Sequence, residues 1–571
     1  MVNEIKNKFT ARKSKRESYV RLFLVIIIVV LFNMVGGYFF HRFDLTSEKR
    51  YTVTPATKEL LKKTDDVIYF RVYLEGDFPS GFRRLRNATR EMLDEMRTYS
   101  RGNIEYEFID PSSNPDEKER VKLYRQLAEK GLRYTTLEEK DKGAKQEKII
   151  FPGALVKYRN QEYPVQLLKS SVGMPPEVML NQSVEALEYE LANAVRQVTV
   201  KDRMRIAFLR GHGEAGNAET ADIRRSLRDF YDLDTVRIEG KLGALKGYQA
   251  LIVADPDSMF TEKDKFIIDQ YVMRGGKVIW VVDPMIVDLD SLRGAGEAIA
   301  IDKQLNLDDM LFKYGVRVNH NLIMDLQSSA IPMVTGYIGN QPRQAMMPWY
   351  FFPVLTPVSD HPVVKNLNAV RCEFVSSIDT VRAEGVKKSI LLSTSRYSRL
   401  AFAPVRVSLN VARSEPDERQ YSRPPQPVAV LLEGVFPSLY ARHVPEEISG
   451  SKEIDFREMS VPGKMLVVSD GAFIRNHYNP KTGAALPLGF DRFIRQSFGN
   501  KDFMLNAVDY MLNESGLIAA RTRDVKLRML DRKLAEEEKT QWQIVNTAGP
   551  VILVLLAGWL VHVLRIRKYA R

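Results

Sequence analysis

Hydrophobic and polar positions alternate along most of this chain with the periods of strands and helices. At its two ends the alternation gives way to unbroken apolar runs. One run extends from Leu22 to Phe40 and the other from Gln541 to Leu564, and neither contains an Asp, Glu, Lys or Arg. A helix of about 20 apolar residues crosses a bilayer while satisfying its own backbone hydrogen bonds, so both runs read as membrane anchors, over 22–41 and 542–564. A cleaved secretory signal shares the basic start and apolar centre of the first run. However, the run exceeds the usual apolar length of about 7 to 15 residues, and Gly36-Gly37-Tyr38-Phe39-Phe40 offers no small-x-small cleavage site. A buried core helix would share the apolar character of the second run, but the basic sequence Arg565-Ile566-Arg567-Lys568 closing it argues for an anchor.

Between the anchors the pattern is that of a water-soluble α/β protein. Thr54-Pro55 opens a capped helix, Val67 to Leu74 reads as a strand, and Phe82, Leu85, Ala88, Met92, Leu93 and Met96 recur at helical spacing. Ile104 to Ile109 alternates as a strand, and Pro115 to Lys130 reads as a charged helix. Two strands, Ile149 to Tyr158 and Glu162 to Leu168, meet at a tight turn, and a helix from Ser183 to Val198 closes the block. This order, β-α-β-α-β-β-α, is that of thioredoxin. The place where a redox enzyme carries its cysteines reads Glu75-Gly76-Asp77-Phe78-Pro79-Ser80-Gly81, so the expectation over 42–200 is a thioredoxin-like, non-redox domain.

A second alternation begins near Arg203. Strands are expected at Arg205 to Leu209, Asp234 to Ile238, Ala250 to Ala254 and Lys277 to Val282, with helices at Thr220 to Tyr231 and Glu262 to Arg274. Strands separated by helices imply a doubly wound, mostly parallel sheet covered on both faces. The expected larger domain is flavodoxin- or amidotransferase-like and covers 201–520, with an irregular insertion near 285–425. Within the insertion, proline- and aromatic-rich Gln341 to Pro357 reads as loop, and Trp349-Tyr350-Phe351-Phe352 reads as buried core or, if exposed, as a binding patch. Strand patterns return at Val428 to Gly434 and Lys464 to Asp470, before a helix from Asp502 to Leu512. Residues 521–541 are charged and helix-prone, either a stalk into the membrane or a solvated surface helix.

A net charge of +12 would ordinarily suggest nucleic acid, but its distribution argues otherwise. The first 21 residues carry seven basic and two acidic side chains, and residues 565–571 carry four basic ones, which leaves only +3 for everything between. Basic clusters beside membrane spans follow the positive-inside rule. They place tails 1–21 and 565–571 in the cytoplasm and the bulk of the chain in the periplasm, against an inner membrane and with no nucleic-acid partner. The single cysteine, Cys372, excludes an intrachain disulfide and Cys-x-x-Cys chemistry, and the seven histidines are scattered without metal-ligand spacing, so no metal is expected.

Candidate chemistry is sparse. Gly211-His212-Gly213-Glu214-Ala215-Gly216 follows a strand and opens toward a helix, with Glu239 after the next strand, as in a dinucleotide fingerprint. Glu214 would set a negative charge beside a pyrophosphate and the loop faces the periplasm, so no cofactor is expected. A glycine turn at a sheet edge is the plainer reading. Gly211, His212, Gly213 and Glu214 remain ligand-binding candidates, and His212 with Glu214 could form an acid/base pair, although no nucleophile is placed to use it. No G-x-x-x-x-G-K-[ST] phosphate loop and no G-x-S-x-G elbow occurs. Asp255, Asp257 and Asp283 at strand ends could chelate a cation or serve as turn and capping residues.

Four segments together resemble the GldG family of Bacteroidetes, the gliding-motility-associated auxiliary, substrate-binding-like subunits of an ABC transporter. They are Asp44-Leu45-Thr46-Ser47-Glu48-Lys49-Arg50-Tyr51-Thr52-Val53, Val72 to Pro79 with Phe82-Arg83-Arg84-Leu85, Phe208 to Glu214, and Lys526 to Asp531 before Pro550 and the basic tail. The resemblance extends over essentially the whole chain and implies a non-catalytic subunit. Its implied partners are a polytopic permease, a separate cytoplasmic ATPase and the bilayer, and a homo-oligomer is open. It carries over no catalytic residues. Two alternatives are a periplasmic amidotransferase-like hydrolase using His212 and Glu214, and an envelope-binding structural protein.

Overall fold

The computed structural model describes residues 22–31, 52–141, 144–169, 176–199, 203–292, 296–339, 341–357, 359–365, 367–441, 455–479, 482–512 and 538–569. Residues 521–537 of the expected stalk, the basic tail 1–21 and residues 32–41 of the first anchor lie outside the described residues. Of that anchor, Leu22–Leu31 forms a ten-residue apolar helix, α1.

The first body begins with α2 (Pro55–Lys62), whose N-cap Thr54 accepts from the Thr57 amide, with Pro at the first helical position. Glu188, itself buried, accepts from the Thr54 amide and, at 2.8 Å, from the Thr57 hydroxyl, so the cap is tied to a distant helix. The chain continues through β1 (Ile68–Val72), α3 (Ser80–Tyr99), β2 (Ile104–Phe108), α4 (Glu117–Glu129), β3 (Thr135–Asp141), β4 (Ala144–Ile150), β5 (Gly153–Tyr158), β6 (Gln161–Gln166) and α5 (Pro176–Thr199). The sheet order is β2-β1-β5-β6, with β1 and β2 parallel and the remaining pairs antiparallel. Strand β1 buries Ile68, Phe70 and Val72 on one face against α2, α3 and α5, as its alternation requires. A smaller cluster of Tyr73, Leu127, Phe151 and Leu155 seats α4 on the other face.

The expected strand over 149–158 is in fact two. Pro152 separates Ile150 from Gly153, and Ile149 and Ile150 belong instead to the β3–β4 hairpin. Sequence pattern misses that hairpin because Glu138-Glu139-Lys140-Asp141 carries residue types depleted in strands, and cross-strand pairing outweighs the local preference.

The second body contains a seven-stranded sheet. Its first four strands are β7 (Arg205–Arg210), β8 (Asp232–Arg237), β9 (Ala250–Ala254) and β10 (Lys277–Val281), and it is completed by β11 (Val386–Ser393), β12 (Pro427–Gly434) and β13 (Gly463–Val468). The spatial order is β8-β7-β9-β10-β13-β12-β11. The first five strands are mutually parallel, whereas β12 and β11 are antiparallel to their neighbours. Every residue of Ala250-Leu251-Ile252-Val253-Ala254 is buried, as a central strand covered on both sides demands. Phe208, Ile252, Ile279, Leu466 and Leu431 face α6 (Ala221–Arg228) and α9 (Asn500–Leu512). Leu209, Val253, Trp280, Val467 and Val430 face α7 (Glu262–Met273) and α8 (Asp308–Tyr314). The two bodies meet where Arg196 of α5 pairs with Asp509 of α9 at 2.8 Å, both side chains buried.

The insertion between β10 and β12 is not irregular throughout. Its core gathers Met285, Leu322, Met324, Trp349, Tyr350, Phe351, Phe352 and Phe374, so the aromatic run is interior, with Phe352 and Phe374 ring centroids 5.2 Å apart. Gln341 to Pro357, expected as loop, is instead mostly the long strand Gln341–Leu355, paired antiparallel with Ser328–Ile338. Pro342, Pro348 and Pro353 suggested a break. In a two-stranded ribbon, however, alternate amides point away from the partner, and proline at such a position forfeits no ladder bond.

At the far end, α10 (Lys539–Tyr569) is exposed along its length, contains Pro550, and is the one helix among the described residues long and apolar enough to cross a membrane.

Candidate functional site at the carboxyl edge of the large sheet

Strand β8 lies on one side of β7 and β9 on the other, so the direction in which successive strands are added to the sheet reverses at β7. In open α/β sheets that reversal leaves a crevice outside the carboxyl ends, where ligands commonly bind. The Gly211–Glu214 loop follows β7 and Asp255-Pro256-Asp257 follows β9, so the topology puts the sequence candidates at this point.

The two loops fill the crevice themselves. The Ala215 amide donates to the Ala254 carbonyl at 2.7 Å, and the Asp257 and Ser258 amides both donate to the His212 carbonyl at 3.0 Å. Gly213, at φ +73°, packs so closely that a Cβ there would lie 1.4 Å from Asp257 Oδ1. The Gly216 amide, the kind of donor a pyrophosphate would need, is taken by the Glu219 carboxylate. Glu239 points elsewhere and pairs with Lys241 at 3.2 Å on the surface.

His212 is buried and fully engaged. Its Nδ1 lies 3.1 Å from Glu214 Oε1 and its Nε2 lies 3.1 Å from Asp264 Oδ2, while Glu214 Oε2 accepts from the His212 amide at 2.9 Å. The imidazole stacks on Phe260, with centroids 3.8 Å apart and planes 7° from parallel. Asp264 belongs to the first turn of α7, where its amide donates to the N-cap Thr261, and its second oxygen accepts from the Gly240 amide at 2.9 Å. The cluster thus joins the loops after β7 and β8 to the start of α7. Burial alone would lower the His212 pKa, but the hydrogen bonds and charges of Glu214 and then Asp264 outweigh it, and the net shift is upward. Glu214 is likewise pushed up by burial and pulled further down by His212, ending below the ordinary value. With carboxylates on both ring nitrogens, neither nitrogen is left to activate an attacking group.

A second cluster lies beside it, around the ends of β9, β10 and β13. Asp255, in the left-handed region at φ +48°, is clamped between Arg475 at 2.7 Å and Lys303 at 3.2 Å. Gly471 presses on it, and a Cβ there would lie 2.2 Å from Asp255 Oδ1. Asp283 is buried, and burial raises its pKa well above the carboxylate range. Asp470 is buried too. It accepts from the Glu373 amide at 2.9 Å, but burial prevails and pushes it up to about 7. Glu373 shows the opposite balance: burial would raise it, but Arg371 and then His477 hold it down to about 2. Among the described residues, no set of three or more His, Cys, Asp or Glu side chains is arranged to hold a metal ion. Asp255 is ion-paired with Arg475 and Lys303, Asp283 accepts from the Met285 amide at 3.3 Å, and Asp257 accepts from the Ser258 hydroxyl at 2.6 Å.

Sequence spacing did not reveal Asp264, Phe260, Lys303, Asp470 or Arg475, because they come from three segments that only the sheet brings together. Thr261 followed three positions later by Asp264 was a readable capping pattern, but nothing in it indicated a histidine partner. Cavities among the described residues lie elsewhere. One of about 640 Å³ lies at the amino edge, lined by Tyr248, Phe266, Tyr271, Arg274 and Lys277. One of about 160 Å³ lies between α5 and α9, beside Arg196 and Asp509. Neither is lined by the Gly211–Glu214 loop.

The fold and this edge define a membrane-associated α/β protein whose most conspicuous polar cluster is closed on itself. Residues 203–507 match the family described as an ABC-type uncharacterized transport system, of the auxiliary kind. That match spans more than half of the chain, and the protein belongs to this family. Residues 47–157 match a domain of unknown function. An uncharacterized protein of Borreliella burgdorferi is 20% identical over 395 residues, covering 68% of this chain and 71% of that protein. Among solved structures, the mmIFT52 N-terminal domain aligns with 14% identity and a TM-score of 0.30 over 54% of this chain and 96% of that domain, too distant to inform fold or function.

Proposed function

We propose that this chain is a non-catalytic auxiliary subunit of an ABC transporter, holding its α/β bodies over a polytopic permease that works with a separate ATPase. The observation that carries the reading is the transport-system family match over 203–507 in a chain that also contains the apolar helix Lys539–Tyr569. A body tied to the membrane keeps its position relative to neighbouring transmembrane helices, which suits coupling or guidance better than free capture. In this reading the run from Leu22 is a second anchor, both basic tails are cytoplasmic and the bodies are periplasmic, as the positive-inside rule favours. The GldG-type role in gliding or envelope export is the finer form of the same proposal.

The sheet order β2-β1-β5-β6 supports a thioredoxin-like scaffold for the first body, used without redox chemistry because its lone relevant thiol, Cys372, lies in the second body and is buried. The Gly211–Glu214 loop acts here as a latch between sheet and helix. The test is purification in mild detergent from cells expressing the neighbouring transporter genes. Permease and ATPase should co-purify at moderate salt, and a chain that runs alone at every salt concentration refutes the assignment. Labelling single-cysteine variants near Arg382 in intact cells should place that surface on the side opposite Arg12 and Arg567.

A further inference from the structure

We infer that the outer half of the ribbon Ser328–Ile338/Gln341–Leu355 lies against the bilayer, with one face seated at the headgroup boundary. The inference rests on the chain being membrane-anchored, as proposed above.

Register divides the ribbon into two unlike faces. Opposite pairs Ala330/Pro348, Pro332/Met346, Val334/Gln344 and Tyr337/Pro342 share one face, since 342, 344, 346 and 348 alternate along the second strand and each partner lies across from them. The opposite face carries Ile331 and Met333, both buried against the body. The first face is therefore turned to solvent, and it is apolar apart from Gln344. Tyr337 is 73% exposed and Met346 44% exposed. A two-stranded ribbon is marginal in water by itself, and an outward apolar face of this kind calls for a covering surface.

Three observations select a lipid surface as that covering. First, from Leu326 to Ser359 the chain has no acidic side chain and a single basic one, Arg343, in a protein that is 27% charged. Arg343 alternates onto the opposite face, so the outward face brings no formal charge to desolvate against lipid. Second, the ribbon edges are poor templates for a partner strand. Prolines stand in both strands at 332, 342 and 348, and Arg413 already occupies the Val334 carbonyl at 3.3 Å, so the contact is made by side chains rather than by strand addition. Third, the tip presents Tyr337, a ring type that favours the water–lipid boundary.

The test uses the full chain in nanodiscs containing anionic lipid. Cys372 is buried, so a cysteine placed at Tyr337 can be labelled selectively with an environment-sensitive fluorophore. The Tyr337→Cys label should shift to the blue and be quenched by nitroxide-bearing lipids, Met346→Cys should be quenched less, and Arg382→Cys, 91% exposed and outside the ribbon, should be unaffected. Absence of lipid quenching at Tyr337→Cys, in protein that co-elutes with the disc, would overturn the inference. A blue shift that needs the permease and ignores lipid nitroxides would overturn it as well, in favour of a protein contact. Failure to co-elute would bring down the anchoring itself, and the ribbon contact with it.

Discussion

The carboxyl edge of the large sheet and the outer ribbon of the insertion invert the usual relation between polarity and exposure. At the edge, His212, Glu214, Asp264, Asp255 and Asp470 are buried and each is held by hydrogen bonds or ion pairs within the chain. On the ribbon, Val334, Tyr337 and Met346 are apolar and face solvent. Charge closed on itself is a structural device, because a buried ionised group without a partner would cost several kcal/mol. An apolar face left open is an invitation to a surface. The contrast points away from chemistry at the sheet edge and toward contact at the ribbon, as expected of a family attached to a transport system.

The sharpest way to break the comparison is at the histidine. His212→Ala strands Glu214 and Asp264 facing one another without their shared cation, and it should destabilise the second body by about 3–5 kcal/mol, read from the denaturant midpoint. A loss below about 1 kcal/mol would mean the cluster is solvated and open to a ligand after all. Next in size, Gly471→Ala drives a Cβ into Asp255, which Arg475 and Lys303 prevent from swinging away, and should cost about 1–3 kcal/mol. Gly213→Ala should cost about 1–2 kcal/mol, chiefly from its left-handed backbone, since exposed Asp257 can move aside.

Titration sharpens the contrast further. A raised His212 pKa contributes stability that is complete below the ordinary value of 6.5 and is lost as pH rises through the folded value. Asp470 acts in the same direction: with its folded pKa near 7 against an ordinary 3.8, its burial costs progressively more as pH climbs between those values. Thermal unfolding followed from pH 4 to pH 8 should therefore show these two groups favouring the acidic end. Asp470→Asn should flatten the slope between pH 4 and 7, and His212→Ala the slope above 6.5. The smallest effect belongs to the ribbon. Tyr337→Asp and Met346→Asp should leave stability within about 0.5 kcal/mol of the parent, while abolishing lipid quenching at a neighbouring label.

Much of the architecture was legible along the chain. Thr54-Pro55 marked a helix start that the structure places at Pro55, Ala250 to Ala254 announced a doubly covered strand, and the period of Phe82 to Met96 matched the helix Ser80–Tyr99. The Trp349 to Phe352 run was readable as core. The β3–β4 hairpin and the ribbon were not, since charged residues in the first and prolines in the second contradict strand propensity locally, and only pairing with a neighbour makes them strands. For the site, the glycines and His212 could be singled out from the sequence, but whether they formed an opening or a lock could not.

Sequence alone determined the apolar runs, the placement of basic charge in the tails, the alternation of strands and helices, and that a single cysteine can form no intrachain disulfide. All of these depend on residues close together in the chain, where period and composition act directly. Tertiary structure alone decided that Asp264 reaches His212 from another element, that Gly471 confines Asp255, and that one face of a proline-bearing ribbon stays bare. Those outcomes depend on which distant segments the sheet order makes neighbours, and on whether burial leaves a charge paired, and neither is encoded in local spacing.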